Sequence, residues 1–188
     1  PTPRRTRAGE LDFGSAAGLD YEALLLRFFD RWLKGIPNGI DREPSVRIFV
    51  MGENVWRDEE SWPLARTRYT PYYLHSQGRA NSRHGDGSLS PVTPGDEPPD
   101  RFVYDPDNPV PTCGGNTLII PMGVRDQQHV EERQDVLVYT TEPLPAPLEV
   151  TGPITVQLFA ATSALDTDFT AKLIDVYPDG RAYNLDET

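Results

Sequence analysis

The sequence predicts a mainly β chain, a β-sandwich of the jelly-roll kind preceded by one helix and one strand with the texture of an α/β domain. Three observations predict it. The 188 residues include 19 prolines and 15 glycines, a proportion suited to short strands and many loops. One long apolar helical stripe stands near the start and has no second of its kind. From about Thr67 onward, short β-prone runs alternate with proline-rich loops, as in a sandwich.

Residues 1–14 are polar, with three arginines, and read as a surface loop. LDYEALLLRFFDRWLKG follows. Tyr21, Leu24, Leu25, Phe28, Phe29, Trp32 and Leu33 recur at helical spacing and make a broad apolar face. Asp20 suits the N-cap, because its carboxylate can accept from free backbone N–H groups. Lys34 suits the last turn, and Gly35 can take the left-handed conformation just beyond it. Each large side chain gains ~1.5–3 kcal/mol on full burial, so this face is expected to dock on something large. VRIFVMG, residues 46–52, reads as a strand covered on both faces, which with the helix is an α/β signal. NVWRDEESWP carries Trp56 and Trp62 through a connection that Pro63 ends.

The texture then changes. YTPYYL (69–74) and RFVYDP (101–106) are β-prone, and residues 79–100 form a long polar Gly/Pro stretch. DVLVYTT (135–141) and PITVQLFAAT (153–162) read as better strands. In the latter, Ile154, Val156, Leu158 and Ala160 share one face. DTDFTAKLIDVYPDG (166–180) reads as a strand entering a tight turn. Its partners are expected mostly beyond residue 188, with one hairpin neighbour across Pro178-Asp179-Gly180. The expected division is 1–65 and 66–188, with both domains incomplete.

The formal charge of −11, with no basic stripe to offset it, argues against nucleic acid and against an anionic membrane surface. No run approaches the ~20 apolar residues of a membrane span, and none reads as a secretory leader. Cys113 is the sole cysteine, so no internal disulfide can form; a cytoplasmic location is expected.

Catalytic motifs are absent. A hydrolase elbow reads G-x-S-x-G, and Gly14-Ser15 and Gly87-Ser88 lack the second glycine. His75, His84 and His129 are isolated and read as surface histidines, without the nucleophile and orienting carboxylate a base requires. No spacing resembles a zinc site. Asp105, Asp107 and Asn108 could suggest calcium but read better as a turn. Asp166, Asp168 and Asp175 are equally ambiguous between ligand and turn or strand-edge residues. No metal or cofactor is expected. PVPTCGGNTLIIP, residues 109–121, is more informative. Two glycines permit a sharp bend or a close approach. Leu118, Ile119 and Ile120 then stand together in a loop setting and need a cover. That cover is either this domain's own core or a partner domain at the rim of a substrate pocket.

The order RFFDRWLKG, VRIFVMGENVWRDEESWP, YTPYYL, YDPDNPVPTCGG, DVLVYTTEPL and DTDFTAKLIDVYPDGRA resembles the cocaine-esterase and X-Pro dipeptidyl-peptidase superfamily of serine hydrolases, nearer its acyl-esterase side. The resemblance is collinear over nearly the whole chain. It implies that residues 1–65 are the end of an α/β-hydrolase domain, with Asp20–Lys34 a late helix and Val46–Met51 its last strand. Residues 66–188 would begin a galactose-binding-like jelly roll. The family's serine attacks an ester or amide carbonyl, a histidine shuttles the proton, and an oxyanion hole holds the developing charge. None of these groups carries over, because the triad lies upstream; the region before Leu11-Asp12-Phe13-Gly14 holds no histidine. The resemblance places the Gly114-Gly115 loop facing the cleft, with Ile119 and Ile120 in the acyl-pocket wall. The segment alone is therefore expected to be inactive, and unable to fold by itself. The parent would take a small-molecule ester or peptide substrate, with the remainder of its hydrolase domain as this segment's partner and homodimerisation left open. A carbohydrate-binding or purely structural jelly-roll module is the alternative.

Overall fold

The computed structural model describes residues 5–118 and 121–187. The described chain forms two compact units. One contains the residues up to Thr67 together with Thr151–Pro153; the other contains Arg68–Val150 and the residues from Ile154 onward.

In the first unit, β1 (Arg7–Ala8) pairs antiparallel with β2 (Leu11–Asp12), and helix α1 (Tyr21–Lys34) follows. The helix begins where its sequence says it should. Asp20 Oδ1 accepts from the Ala23 N–H at 3.0 Å, satisfying one of the free donors of the first turn. It ends at Gly35, whose φ of 70° closes the last turn with a bond from its N–H to the Asp30 carbonyl. Lys34 reaches back to Asp30 at 2.6 Å. No residue of α1 is buried, and Phe28, Phe29, Trp32 and Leu33 all stand exposed.

Strand β3 (Val46–Val50) departs from expectation. It is half-exposed and forms an antiparallel hairpin with β4 (Val55–Glu59), rather than lying covered on both faces. The turn explains the difference. Gly52 and Asn54 both adopt positive φ, and the Asn54 N–H bonds the Val50 carbonyl at 2.8 Å, so the chain reverses at once. Arg47, the one charge in the apolar run, sits opposite Asp58 and meets it through two hydrogen bonds. Phe49 packs edge-on against Phe13 and Trp56, and the Trp56 indole donates to the Ala16 carbonyl.

The second unit is β-rich with short ladders. β5 (Tyr73–His75) pairs with β6 (Ser88–Ser90), and β7 (Lys172–Val176) pairs with β8 (Ala182–Glu187), both antiparallel. Among the described residues of this unit a single helical turn, α2 (Gln128–Glu131), interrupts them. The expected strand at 135–141 is extended but not a ladder. Its backbone bonds Ala80 and Ser82 at one point, then Gly87 and Leu89 at another. The bridges are antiparallel to the first and parallel to the second, because the chain between them turns through Ser82 at φ 62°. Gly87 lies so close to the Val138 carbonyl that a Cβ there would collide with it.

The run at 153–162 is not a strand among the described residues: it pairs with nothing, and both its faces are open, Phe159 being 99% exposed. Period-two alternation gives an extended chain its two faces, but a ladder also needs a neighbour at hydrogen-bonding distance. The strands expected within 69–74 and 101–106 shrink for the same reason, to Tyr73–His75 and to none. The terminal hairpin does form across Pro178-Asp179-Gly180, with Gly180 at φ 89°. Its inner side is sealed from within: Ala182, Tyr183 and Asn184 are buried against Asp126 and Gln127. The opposite side stays open, with Val176 and Leu185 exposed.

Candidate functional site

The Gly114-Gly115 loop is built on a polar base. Gly115 and Gly123 exchange both backbone hydrogen bonds, at 2.8 and 2.9 Å, and so pinch off the segment Asn116–Met122. Gly114 and Gly115 have φ of 71° and 80°, where a side chain is strained. The space a side chain would need is also taken: by Gly123 and Arg125 at Gly114, and by the Glu187 carboxylate at Gly115. Close approach within the unit itself therefore demands both glycines.

Gln127 is the centre of this base and is 1% exposed. Its Nε2 donates to the carbonyls of Cys113 at 2.9 Å and Arg125 at 3.0 Å, and lies 3.3 Å from Asn184 Oδ1. Its Oε1 accepts from Lys172 Nζ at 3.3 Å, and Lys172 in turn pairs with Glu187 at 3.1 Å. Asn184 Oδ1 accepts from the Arg125 N–H, and its Nδ2 donates to the Gly123 carbonyl. Sequence reasoning missed Gln127 and Asn184. No short motif marks a glutamine whose partners lie 45 and 57 residues away.

Above this base, Leu118 is 91% exposed. Ile119 and Ile120, the expected pocket-wall residues, lie outside the described residues.

The histidines are not alike. His84 is exposed and meets Glu132 at 2.8 Å, and His129 is exposed. His75 is not a surface histidine: its side chain is only 17% exposed, with Nδ1 2.7 Å from Glu97 and Nε2 2.9 Å from the Val92 carbonyl. Ser90 Oγ stands 3.2 Å from the same Nε2. Serine, histidine and glutamate thus meet in a triad-like row. The chemistry runs the other way, however. Nδ1 faces the Glu97 carboxylate and Nε2 faces the Val92 carbonyl, an arrangement that favours the doubly protonated ring. The bond to Glu97 raises the His75 pKa, burial opposes this, and the Val92 carbonyl adds to the rise. Glu97 is held low, by the His75 bond first and then by the Ser76 N–H. With Nε2 nearer the Val92 carbonyl than Ser90 Oγ, the ring is placed to clasp the 91–99 segment rather than to activate Ser90 as a nucleophile.

Beside it, Asp100 accepts from Ser76 Oγ at 2.6 Å, the Ala80 N–H at 2.8 Å and the Tyr139 hydroxyl at 2.7 Å. Burial would raise its pKa, but the Ala80, Ser76 and Tyr139 donors outweigh burial and hold it low. Tyr139 is pushed up, by burial first and then by the Asp100 bond.

Asp105 accepts from the Asp107 N–H, and its carbonyl bonds the Asn108 N–H, so these residues form a turn. Asp166, Asp168 and Asp175 are exposed. Among the described residues no group of three His, Cys, Asp or Glu side chains could hold a metal ion, and no helix is long and apolar enough to cross a membrane.

Residues 38–188 match the family described as the X-Pro dipeptidyl-peptidase C-terminal non-catalytic domain. The chain belongs to that family. Members of this domain family are β-sandwiches, and the β-rich structure here agrees with that class. The non-catalytic description agrees with a chain onto which no triad residue carries over. The chain is 51% identical over 160 residues to a cocaine esterase of Rhodococcus sp. (strain MB1 Bresler), covering 84% of this chain and 28% of that protein. A Mycobacterium bovis protein that bears a serine-esterase name is 34% identical over 178 residues, covering 92% of this chain and 26% of its own. Among solved structures, an aminopeptidase from a marine sediment Thaumarchaeota archaeon superposes with a TM-score of 0.70 at 31% identity, over 98% of this chain and 32% of that one. The PepX-type chain thus spans roughly a quarter to a third of the length of the proteins it resembles.

Proposed function

We propose that the chain is the junction between the two domains of a serine hydrolase. In this reading residues 1–65 end the α/β-hydrolase domain and residues 66–188 begin a galactose-binding-like jelly roll. The parent cleaves small-molecule esters, or X-Pro peptides, through an acyl-enzyme formed on a serine outside this chain. The segment supplies scaffold and, through Ile119 and Ile120, part of the wall around the acyl group. Apolar side chains there act by shape and by excluding water; they move no proton.

The observation that carries this reading is the apolar triplet beginning at Leu118. Leu118 itself is open to solvent, in a segment whose two ends are clamped by backbone bonds and buried amides. Such a loop is suited to meet something other than its own core. The open apolar face of α1 supports a second part of the proposal, that the remainder of the hydrolase domain covers it. The charge of −11 supports a partner set without nucleic acid or anionic membrane, and the single unpaired cysteine supports a cytoplasmic site.

The test uses the full-length protein that contains this chain. A series of aryl esters of rising acyl length is run beside X-Pro anilides. Ile119→Ala and Ile120→Ala are expected to change KM with acyl size by about tenfold, the discrimination a methylene-scale change in a pocket produces. Equal kinetics for wild type and both variants across the series would overturn the pocket-wall role. Absence of any ester or anilide hydrolysis would overturn the parent's activity. Sedimentation of the same protein decides between monomer and homodimer.

A further inference from the structure

We propose that the cleft between residues 101–108 and residues 133–135 binds a neutral pyranose, as a free sugar or as the end unit of a glycoside. The cleft is open to solvent and has a volume of about 520 Å³, a size suited to a small ligand. It lies wholly in the second unit and does not depend on the acyl-group reading above.

Separate stretches of chain form the cleft, and polar bonds tie them together. Asn81 Nδ2 donates to the Arg101 carbonyl at 2.9 Å and to the Gln134 carbonyl at 2.8 Å. Arg133 meets the Asp135 carboxylate through Nε at 2.7 Å and Nη2 at 2.6 Å. The same guanidinium reaches Asn108, from Nη1 to Oδ1 at 3.2 Å and from Nη2 to the carbonyl at 2.6 Å. Four of its five N–H groups are thereby spent. Arg133 and Asp135 are part-buried, and each holds the other in place. The walls are therefore fixed before a ligand arrives, and little ordering is left to oppose binding.

The groups left unspent select the ligand. Among the described residues nothing accepts from the Arg101 guanidinium or from Asn108 Nδ2, and nothing donates to Asn81 Oδ1 or Asp105 Oδ2. The cleft thus offers donors and acceptors together. Two arginines and two aspartates line it, which leaves no net formal charge. An anion would gain little there, in a chain of charge −11, and a cation would meet as many guanidinium groups as carboxylates. A hydroxyl group donates and accepts at once, so it matches this lining where an ion does not. Phe102 and Val103 are exposed and add apolar surface. A purely apolar ligand would cover them but would also strand the polar groups around them. A pyranose carries both parts, a ring face of C–H groups and an edge of hydroxyls.

The experiment titrates the full-length protein by calorimetry with the methyl glycosides of glucose, mannose and xylose, with cellobiose, and with glucose 6-phosphate. Amide exchange at Phe102 and Val103, which bond no described backbone group, is followed alongside. The expected result is saturable binding of a neutral sugar and slower exchange at both amides when it is bound. Its Kd should rise about tenfold in Arg101→Gln and in Phe102→Ala, through loss of a bond to a charged group and of apolar contact. The melting temperature should match wild type in both variants, since both side chains are exposed. A monosaccharide glycoside that binds as tightly as cellobiose supports a free sugar as ligand, and tighter cellobiose supports the end unit of a glycoside. No saturable heat with any neutral sugar overturns the inference. Tighter binding of glucose 6-phosphate than of the glucoside also overturns it, because that would mark an anion site at Arg101. Equal affinity in wild type and both variants, or unchanged exchange at Phe102 and Val103, overturns the site. None of these readouts involves hydrolysis, so their failure leaves the acyl-enzyme reading untouched.

Discussion

Replacing Asp100 with alanine should loosen the Ser76–Tyr139 region by about 3 to 5 kcal/mol, and the figure follows from what the carboxylate satisfies. Three donors point at it: the Ala80 N–H, the Ser76 hydroxyl and the Tyr139 hydroxyl, all within 2.8 Å. Ala80 is fully buried and Ser76 nearly so. Each donor stranded in such a place costs about 1–3 kcal/mol. Their sum is reduced by the water the vacated space admits and by the desolvation the carboxylate no longer bears. Tyr139→Phe removes one donor but leaves the carboxylate two others, so it should cost about 1.5 kcal/mol. The assay is hydrogen exchange in the full-length protein, read at Ser82, Leu89 and Val138. Their amides bond the Val136, Thr140 and Ala80 carbonyls and do not contact Asp100 themselves. At about 1.4 kcal/mol per factor of ten, Asp100→Ala should lower protection there by two to three and a half powers of ten. Tyr139→Phe should lower it by about one. The sign with pH is fixed as well. The folded pKa of Asp100 is depressed, so its contribution is present above the unfolded value and fades as pH falls through the folded one. A loss under tenfold in Asp100→Ala, or equal losses in the two variants, would refute the reasoning.

Three further outcomes are expected. The His75–Glu97 clasp should hold the 91–99 segment over a bounded pH range: His75 is raised, so its share is complete below its unfolded pKa and is lost as pH climbs through the folded one, while Glu97 is lowered, so its share is lost as pH falls through its folded value. Exchange at Ser76, whose amide bonds Glu97, should trace that window in wild type and lose the upper limb in His75→Gln. Gly87→Ala should cost about 3 kcal/mol or more by overpacking against the Val138 carbonyl, a backbone atom that cannot swing aside; a melting curve matching wild type would contradict it. The isolated 188-residue chain should sediment as aggregate because of the α1 face, and Phe29→Lys with Leu33→Lys should increase its monomer fraction; a sharp monomer peak from the unmodified chain would count against that.

What could be read from the sequence was whatever a few neighbouring residues decide. Asp20 and Gly35 bound α1 because capping is a contact over three to five residues, and the structure places both caps as read. The Pro178-Asp179-Gly180 turn was legible for the same reason, since a positive φ at glycine is a local requirement. Pairing was not legible. VRIFVMG is as apolar as a strand covered on both faces, and only Gly52 and Asn54 betray that it turns back on itself. PITVQLFAAT alternates well yet pairs with nothing described, because alternation prepares faces without supplying a neighbour. The candidate site divided along the same line. The two glycines and the apolar triplet stood out in one window. Gln127, Asn184, Lys172 and Glu187 did not, as each gains meaning only from a partner many residues away. His75 was read as a surface residue because Glu97 lies 22 positions on, inside a stretch that looked like featureless loop.

That distribution of long-range bonds bears on how the second unit is held together. Its ladders are three to six residues long, and its buried apolar residues are few and mostly small: Ala80, Val124, Val130, Ala182 and Tyr183. Meanwhile Ile154, Val156, Leu158 and Phe159 stand open on an unpaired run. Most of the hydrophobic gain the sequence could offer is thus not taken up among the described residues. What fixes the loops instead is a small set of carboxylates and amides that each bind at least one backbone group and one or more others: Asp100, Glu97, Gln127 and Asn184. Hydrogen bonds of this kind contribute about 0.5–1.5 kcal/mol each when net of water. They set direction more than they supply stability. A unit organised in this way is well defined where its polar clasps lie and open where its apolar runs lie. On the proposed reading, those open runs would gain their missing burial from the remaining protein, and the segment between the clasped Gly115 and Gly123 would bring this chain to the chemistry.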